Sequence, residues 1–231
     1  MLSKRIKNII KKVMVSTILF FTLLLPIKAS AGKILLDLCH NDTYTETVRD
    51  NGAYSSCGKY NERELMNNIT LKVKDKLDAL GYDTMLTRDM EEAMSIEERV
   101  YLANSIDDLD LYISLHANSS ANTATGTEGY AINSWSFTNS ICKDISKQFD
   151  IPYRKTVASP YYNASINGSS SLLEIAFMNN EKDLDILINH QEEVADIIVK
   201  NIQEYYPLEN KEVTKVINTG LGSFEVKVNY Y

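Results

Sequence analysis

The stretch Lys33 to His40, KILLDLCH, decides how this chain is read. Lys33 to Cys39 reads as a buried strand, because a short apolar run without helical spacing suits extended chain. Working outward, such runs alternate with helical patterns. Glu62 to Leu80 reads as a helix, with Asn61 placed to cap it and Gly81 just past its end. Tyr82 to Thr87 is a second strand. Ser95 and Glu98 form a capping box for a helix running to about Ser105. Leu111 to His116 (LYISLH) is a third strand and Thr127 to Asn133 a fourth. A helix through Ser140 to Phe149 follows, then a loop-rich stretch with Pro152, Pro160 and Asn167-Gly168, then the strand Leu172 to Met178. Asn180 is placed to cap one long final helix, whose residues Leu184, Leu187, Ile188, Ala195, Ile198 and Ile202 recur at helical spacing until Pro207. The alternation predicts an α/β fold: a three-layer sandwich with a mixed, mostly parallel central sheet flanked by helices on both faces.

Charge is unevenly split. The 231 residues carry 24 Lys+Arg and 31 Asp+Glu, but residues 1–31 hold six of the bases and no acid. The remaining 200 residues therefore carry 18 bases against 31 acids, a net of −13. Phosphate binding needs a basic surface, so nucleic acid is excluded as a partner. Two hundred residues suffice for one core and are too few for a catalytic domain plus a string of binding repeats.

Residues 1–31 read as an export signal. A basic start leads into the apolar run Val13 to Ile27 and then Ala29-Ser30-Ala31, a small-x-small cleavage pattern. The run of about fifteen residues is short of the ~20 that span a bilayer, so no membrane span is expected after cleavage. The expected location is extracytoplasmic, wall-associated or secreted. The expected organisation is a signal over 1–31, a catalytic domain over 32–208, and a tail over 209–231. Partial alternation in that tail (Phe224, Val226, Val228) suits an edge strand or a flexible end. Cys39, Cys57 and Cys142 are too few for a disulfide scaffold; Cys39 and Cys57 flank one loop and are placed either to bridge or to stay free.

Two of the three histidines, His40 and His116, end apolar strands. That edge of an open α/β sheet is where ligands bind, and two imidazoles there suggest a metal. The competing reading is a pair of unrelated, hydrogen-bonded histidines. Helix phase selects a third ligand. At ~100° per residue, the stripe of Leu65, Ile69, Val73, Leu77 and Leu80 is centred about 60° from Leu65, where Glu62 also projects. Glu64 lies roughly 160° away from that direction. A carboxylate on the buried face is costly unless paired or metal-bound, and His, His and Glu with an open position is the ligand set of a hydrolytic zinc site. Glu174, inside the apolar strand LLEIAFM, is a candidate general base and acid; its competing reading is a structural salt bridge or a residue facing water. His190 falls about 105° from the stripe centre of its helix and is expected at the solvent edge. Trp135 and Tyr161 read as packing residues, with glycan stacking as the alternative.

Together these residues resemble the zinc-dependent N-acetylmuramoyl-L-alanine amidases of the amidase-3 family, from about Lys33 to Tyr206. The family's D-[PA]-G-H-G appears as Asp37-Leu38-Cys39-His40-Asn41, and its E-K helix start as Glu62-Arg63. L-T-R, R-x-x-x-A-N and S-I-H-x-N follow as Leu86-Thr87-Arg88, Arg99 to Asn104 and Ser114 to Asn118. G-x-E is Gly126-Thr127-Glu128, and the catalytic strand is Ser171 to Asn180. The resemblance implies zinc on His40, Glu62 and His116, Glu174 as catalytic acid/base, and cleavage of the amide joining muramic acid to L-alanine in peptidoglycan. Arg154 falls near a family arginine, and Arg154 and Asn118 are carried over as substrate-binding. The size resembles that of small amidases that tailor spore cortex wall.

The chain departs from the family where Cys39, Asn41 and Asp42 replace glycines around the first ligand, and in a longer loop to Glu62. These departures motivate two rivals: a silent wall-binding or partner-binding protein of the same fold, and an amidase that needs a protein activator. A zinc peptidase acting on cross-links is a third.

Overall fold

A computed structural model describes residues 32–42, 49–120 and 124–208, together with the backbone of 212–219 and 222–229. The expected signal lies outside the described residues. Six strands form one sheet: β1 (Lys33–Asp37), β2 (Asp83–Leu86), β3 (Leu109–Asn118), β4 (Thr127–Ile132), β5 (Tyr153–Ala158) and β6 (Ser170–Phe177), in the order β2-β1-β3-β6-β4-β5. β2, β1, β3 and β6 are parallel neighbours; β4 runs antiparallel to β6 and parallel to β5. The helices are α1 (Glu62–Leu80), α2 (Ile96–Ser105), α3 (Trp135–Phe149), α4 (Glu181–Asn189) and α5 (Gln191–Tyr205).

Side chains alternate across the central strands as strand geometry requires. Ile34, Leu36, Leu111, Ile113 and Leu115 enter the larger core with Leu65, Ile69 and Val73 of α1, Ile141 and Ile145 of α3, and Ile198 and Ile202 of α5. Leu35 and Tyr112 point the other way, to Ala103 of α2 and Ile166 after the 3-10 turn Tyr162–Ser165. The result is the three-layer α/β sandwich, with a mixed, mostly parallel sheet between two helical layers.

The caps follow the sequence. Asn61 accepts from the Glu64 amide at 2.9 Å, Gly81 closes α1 in the left-handed region at φ 93°, and Ser95 and Glu98 form the capping box of α2. Three expectations are corrected. The stretch around Pro152 holds strand β5, an edge strand in which only Thr156 is buried, so it lacks the alternation that marks a strand. Helix α3 begins at Trp135, earlier than Ser140; Ser134 precedes it without a side-chain capping bond, its hydroxyl donating to the Ser170 carbonyl. The long last helix is two, interrupted at His190, with the apolar stripe continuing from Leu187 to Val194 and Ile198. Cys39 and Cys57 do not bridge: both are free, Cys39 buried and Cys57 exposed. In the tail, β7 (Glu212–Thr219) and β8 (Gly222–Asn229) pair antiparallel in a separate two-stranded sheet.

One buried polar cluster shapes the loop after β1. Asp37 accepts hydrogen bonds from Thr87 (2.9 Å), Ser114 (2.8 Å) and Tyr162 (2.7 Å), and pairs with the Arg99 guanidinium at 2.8 Å. Arg99 also donates to the carbonyls of Leu38 and His40, and Arg88 to those of Cys39 (2.9 Å) and His40 (3.3 Å). Two arginines thus satisfy carbonyls that turn away from the sheet, which holds His40 and Asn41 at φ 56° and 70°. Asparagine tolerates that region better than most side-chain residues, so Asn41 fits this turn.

Candidate metal centre

The strand ends and the α1 start bring three donor side chains to one point. Glu62 Oε1 lies 2.9 Å from His40 Nε2 and 3.0 Å from His116 Nδ1. Glu62 is 4 % exposed while Glu64 faces solvent, as helix phase predicts. Two backbone amides fix the carboxylate: Ala53 donates to Oε2 at 2.8 Å and Ala117 to Oε1 at 3.0 Å.

Asp50 supports His40 from behind, its Oδ2 sitting 2.7 Å from Nδ1. Asp50 is itself held by the Gly52 amide at 2.9 Å. Burial alone would lower the pKa of His40, but the carboxylates of Asp50 and Glu62 outweigh it and push it to about 10. Burial likewise favours a neutral Glu62, yet the two imidazoles win and hold its carboxyl well below the usual range.

The site also contains polar atoms with nothing to bond. His40 Nε2, His116 Nε2 and Glu174 Oε2 are buried without a hydrogen-bond partner among the described residues. His116 Nδ1 is hydrogen-bonded to Glu62 Oε1, whereas His40 Nε2, though 2.9 Å from the same oxygen, is poorly directed for a hydrogen bond to it. Buried orphans of this kind call for an ion or water. Gly52, at φ +65°, forms the wall of that space. A Cβ there would sit 2.4 Å from Glu62 Oε2 and 2.6 Å from His40 Nε2.

Cys39 Sγ joins His40 and His116 in a group whose ligand atoms lie within 4.8 Å of one another. Burial, reinforced by Glu62, pushes its thiol well above the ordinary value. Glu62, ionised and within 3.0 Å of both imidazoles, is a further candidate donor.

Glu174 sits directly across from His116 on β6 and from Glu128 on β4, so the three residues form a row over three strands. Burial raises its pKa to about 7; His116 opposes the shift and the nearby carboxylates of Glu62 and Glu128 add to it. Arg154 is bound to this row through Glu128, its Nε donating to Oε1 at 2.6 Å, and its guanidinium lies over Phe177. Asn118 accepts from the Ser119 amide at 2.8 Å, at the end of β3 beside the same edge. His190 is a half-exposed residue paired with Glu193 and Asp185.

A family model described as N-acetylmuramoyl-L-alanine amidase matches residues 34–204. The chain belongs to that family. The amidase is 31% identical over 154 residues to the uncharacterised protein YqiI of Bacillus subtilis, covering 63% of this chain and 74% of that one. The amidase AmiC2 of Nostoc punctiforme is 25% identical with a TM-score of 0.66, over 75% of this chain and 96% of that one. The CwlD amidase from Clostridioides difficile, solved with the GerS lipoprotein, is 22% identical with a TM-score of 0.66, over 77% and 100%, a likeness of fold. The enzyme class that the motifs implied is that of this family, with peptidoglycan as substrate class and an extracytoplasmic place of action. Among the described residues, no helix is long and apolar enough to cross a membrane.

Asp50 and Gly52 are the site residues that sequence reading passed over. Their only local signal is the turn-like run Asp50-Asn51-Gly52 in a loop without periodicity.

Proposed function

We propose that the amidase hydrolyses the amide between N-acetylmuramic acid and L-alanine, with zinc held by His40, Glu62 and His116 and Glu174 as general base and acid. The observation that carries this reading is the meeting of His40 Nε2 and His116 Nδ1 on the ionised Glu62 Oε1, with the buried Glu174 as register neighbour of His116, in a chain of this family. A zinc ion there supplies Lewis-acid polarisation of the amide carbonyl and of the attacking water.

The chain's own groups do the rest. Asp50 takes the Nδ1 proton of His40 as hydrogen-bond partner, which leaves Nε2 as the donor toward the site. The Ala53 and Ala117 amides orient Glu62, and the two imidazoles keep it ionised. Glu174, with a pKa near neutrality and a free Oε2, accepts the proton of the attacking water. It then delivers that proton to the alanine nitrogen, which leaves poorly as an anion. Arg154 and Asn118, at the same sheet edge, are the proposed contacts to substrate.

Mass spectrometry of fragments released from purified wall tests this reading. Stem peptides with a free L-alanine amino terminus are expected with zinc and absent after chelation. Cut cross-links with intact muramoyl amides would replace it with the peptidase reading. Release that requires a second protein would establish the activator-dependent version, which the GerS-bound neighbour favours. Export by cleavage after Ala31 and a role on spore cortex wall belong to the same proposal; digestion of intact and cortex-type wall side by side tests the latter.

A further inference from the structure

Strand β4 joins two different places. At one end Glu128 lies across from Glu174; at the other Ile132 lies across from Ser170. Four residues at ~3.3 Å each separate these rows by roughly 13 Å. Beyond the second row is a cavity of about 540 Å³, within the size range of small-molecule sites, lined by Asn133, Trp135, Ser136, Ser169, Tyr205 and Tyr206 among others.

Its chemistry is distinct from that of the metal centre. None of its lining residues is acidic or basic. Trp135 is 52% exposed, yet its ring is fixed, since Nε1 donates to the Thr156 carbonyl at 3.0 Å. Phe137, buried beneath, meets Tyr205 and Tyr206 edge-on at 5.9 Å and 5.3 Å, which fixes a second aromatic wall. Asn133 donates from Nδ2 to the Gly168 carbonyl at 3.1 Å, and the exposed Ser136 hydroxyl has no partner among the described residues.

Trp135, held at its polar end, presents an apolar face to a cavity shared with the two tyrosines and the exposed Ser136. A pyranose ring has the complementary pattern: C–H groups on its faces and hydroxyls at its edge. An ionic ligand would find no counter-charge here, so its desolvation would go uncompensated. We propose that this cavity is a second, non-catalytic site for the neutral N-acetylhexosamine part of a glycan strand. The choice of sugar rests on the amidase reading; the site itself rests on the cavity.

Trp135 is the only tryptophan in the chain, so intrinsic fluorescence reports on this cavity directly. Titrating the full metal-free chain with the β-1,4-linked N-acetylglucosamine tetramer should give a saturable change in emission. Calorimetry should show affinity at least about tenfold weaker in Trp135→Ala and Tyr205→Ala. Ser136→Glu, at an exposed position where folding is safe, should weaken it similarly. Glu174→Gln should bind as the wild type does. No emission change or heat up to about 10 mM tetramer, or equal affinity in all three cavity variants, overturns the proposal. Tetramer binding without amide release would sink the amidase reading and leave this site standing; amide release without tetramer binding would do the reverse.

Discussion

His116 and Glu174 are register partners on the adjacent parallel strands β3 and β6, so an imidazole of the donor cluster and a carboxylate of raised pKa stand side by side on one face of the sheet. Their roles differ because their partners do. His116 meets ionised Glu62 at 3.0 Å, whereas Glu174 Oε2 has no hydrogen-bond partner. Replacing Glu174 with Gln should keep the metal and lower amide release by about 10²- to 10⁴-fold. Metal content and peptide release, measured on one preparation, check this; near wild-type release would remove Glu174 from the chemistry.

The same carboxyl carries a pH signature in the metal-free chain. Its folded pKa of about 7 lies above the ordinary 4.5, so between those values the folded state binds the proton and the unfolded state does not. Stability then falls as pH rises through that window, by up to about 3 kcal/mol. Glu174→Gln should flatten that part of the curve, which urea midpoints at pH 4.5 and 7.5 would show. An unchanged slope would mean that the group is solvated.

Metal content separates ligands from neighbours. His40→Ala, His116→Ala and Glu62→Ala should each lose bound zinc, while Glu64→Ala on the solvent face of α1 should retain it. Asp50→Asn keeps the shape but weakens the support of His40, and should lower zinc affinity about 10- to 100-fold. Equal zinc loss from the Glu62 and Glu64 variants would overturn the assignment.

The contrast between Glu62 and Asp50 shows what sequence makes legible. Glu62 sits in a regular helix, where 3.6-residue geometry projects each side chain from its number alone, and it is buried where phase puts it. Asp50 sits in a loop whose path is set by distant pairs: the Asn41 amide to the Asp50 carbonyl, and the Asp50 amide to that of Asp42. No local pattern encodes those bonds. Strand β5 lacks a legible pattern for a related reason: at the sheet edge most of its side chains are exposed, and only Thr156 is fully buried. His40, Glu62, His116 and Glu174 were legible because each sits in, or directly after, a periodic element.

Gly52→Ala tests the wall of the donor cluster. The added Cβ would collide with Glu62 Oε2 and His40 Nε2 and would sit at φ +65°, a conformation costing an L-residue about 1–2 kcal/mol. The expected outcome is loss of zinc binding with a small fall in thermal midpoint. Normal zinc affinity would show that the loop carrying Gly52 stands off from the donors.

Asp37 and Arg99 should behave as the structural anchor of the His40 loop. Burial would raise the pKa of Asp37, but the Arg99 charge and three hydroxyl donors overcome it and bring the carboxyl down to about 2. A depressed carboxylate stabilises the fold above its unfolded pKa of about 3.8 and loses that contribution as pH falls through 2, an effect of about 2 kcal/mol. Arg99→Ala leaves the buried Asp37 charge without its partner and should cost about 3–5 kcal/mol. It also frees the carbonyl of Leu38 and leaves that of His40 to Arg88 alone, so zinc affinity should fall even where the fold survives. Denaturant midpoints from pH 2 to 7, with zinc titration at pH 7, check both parts. An Arg99→Ala protein of wild-type stability and zinc affinity would mean that the loop holds His40 in place without the buried ion pair.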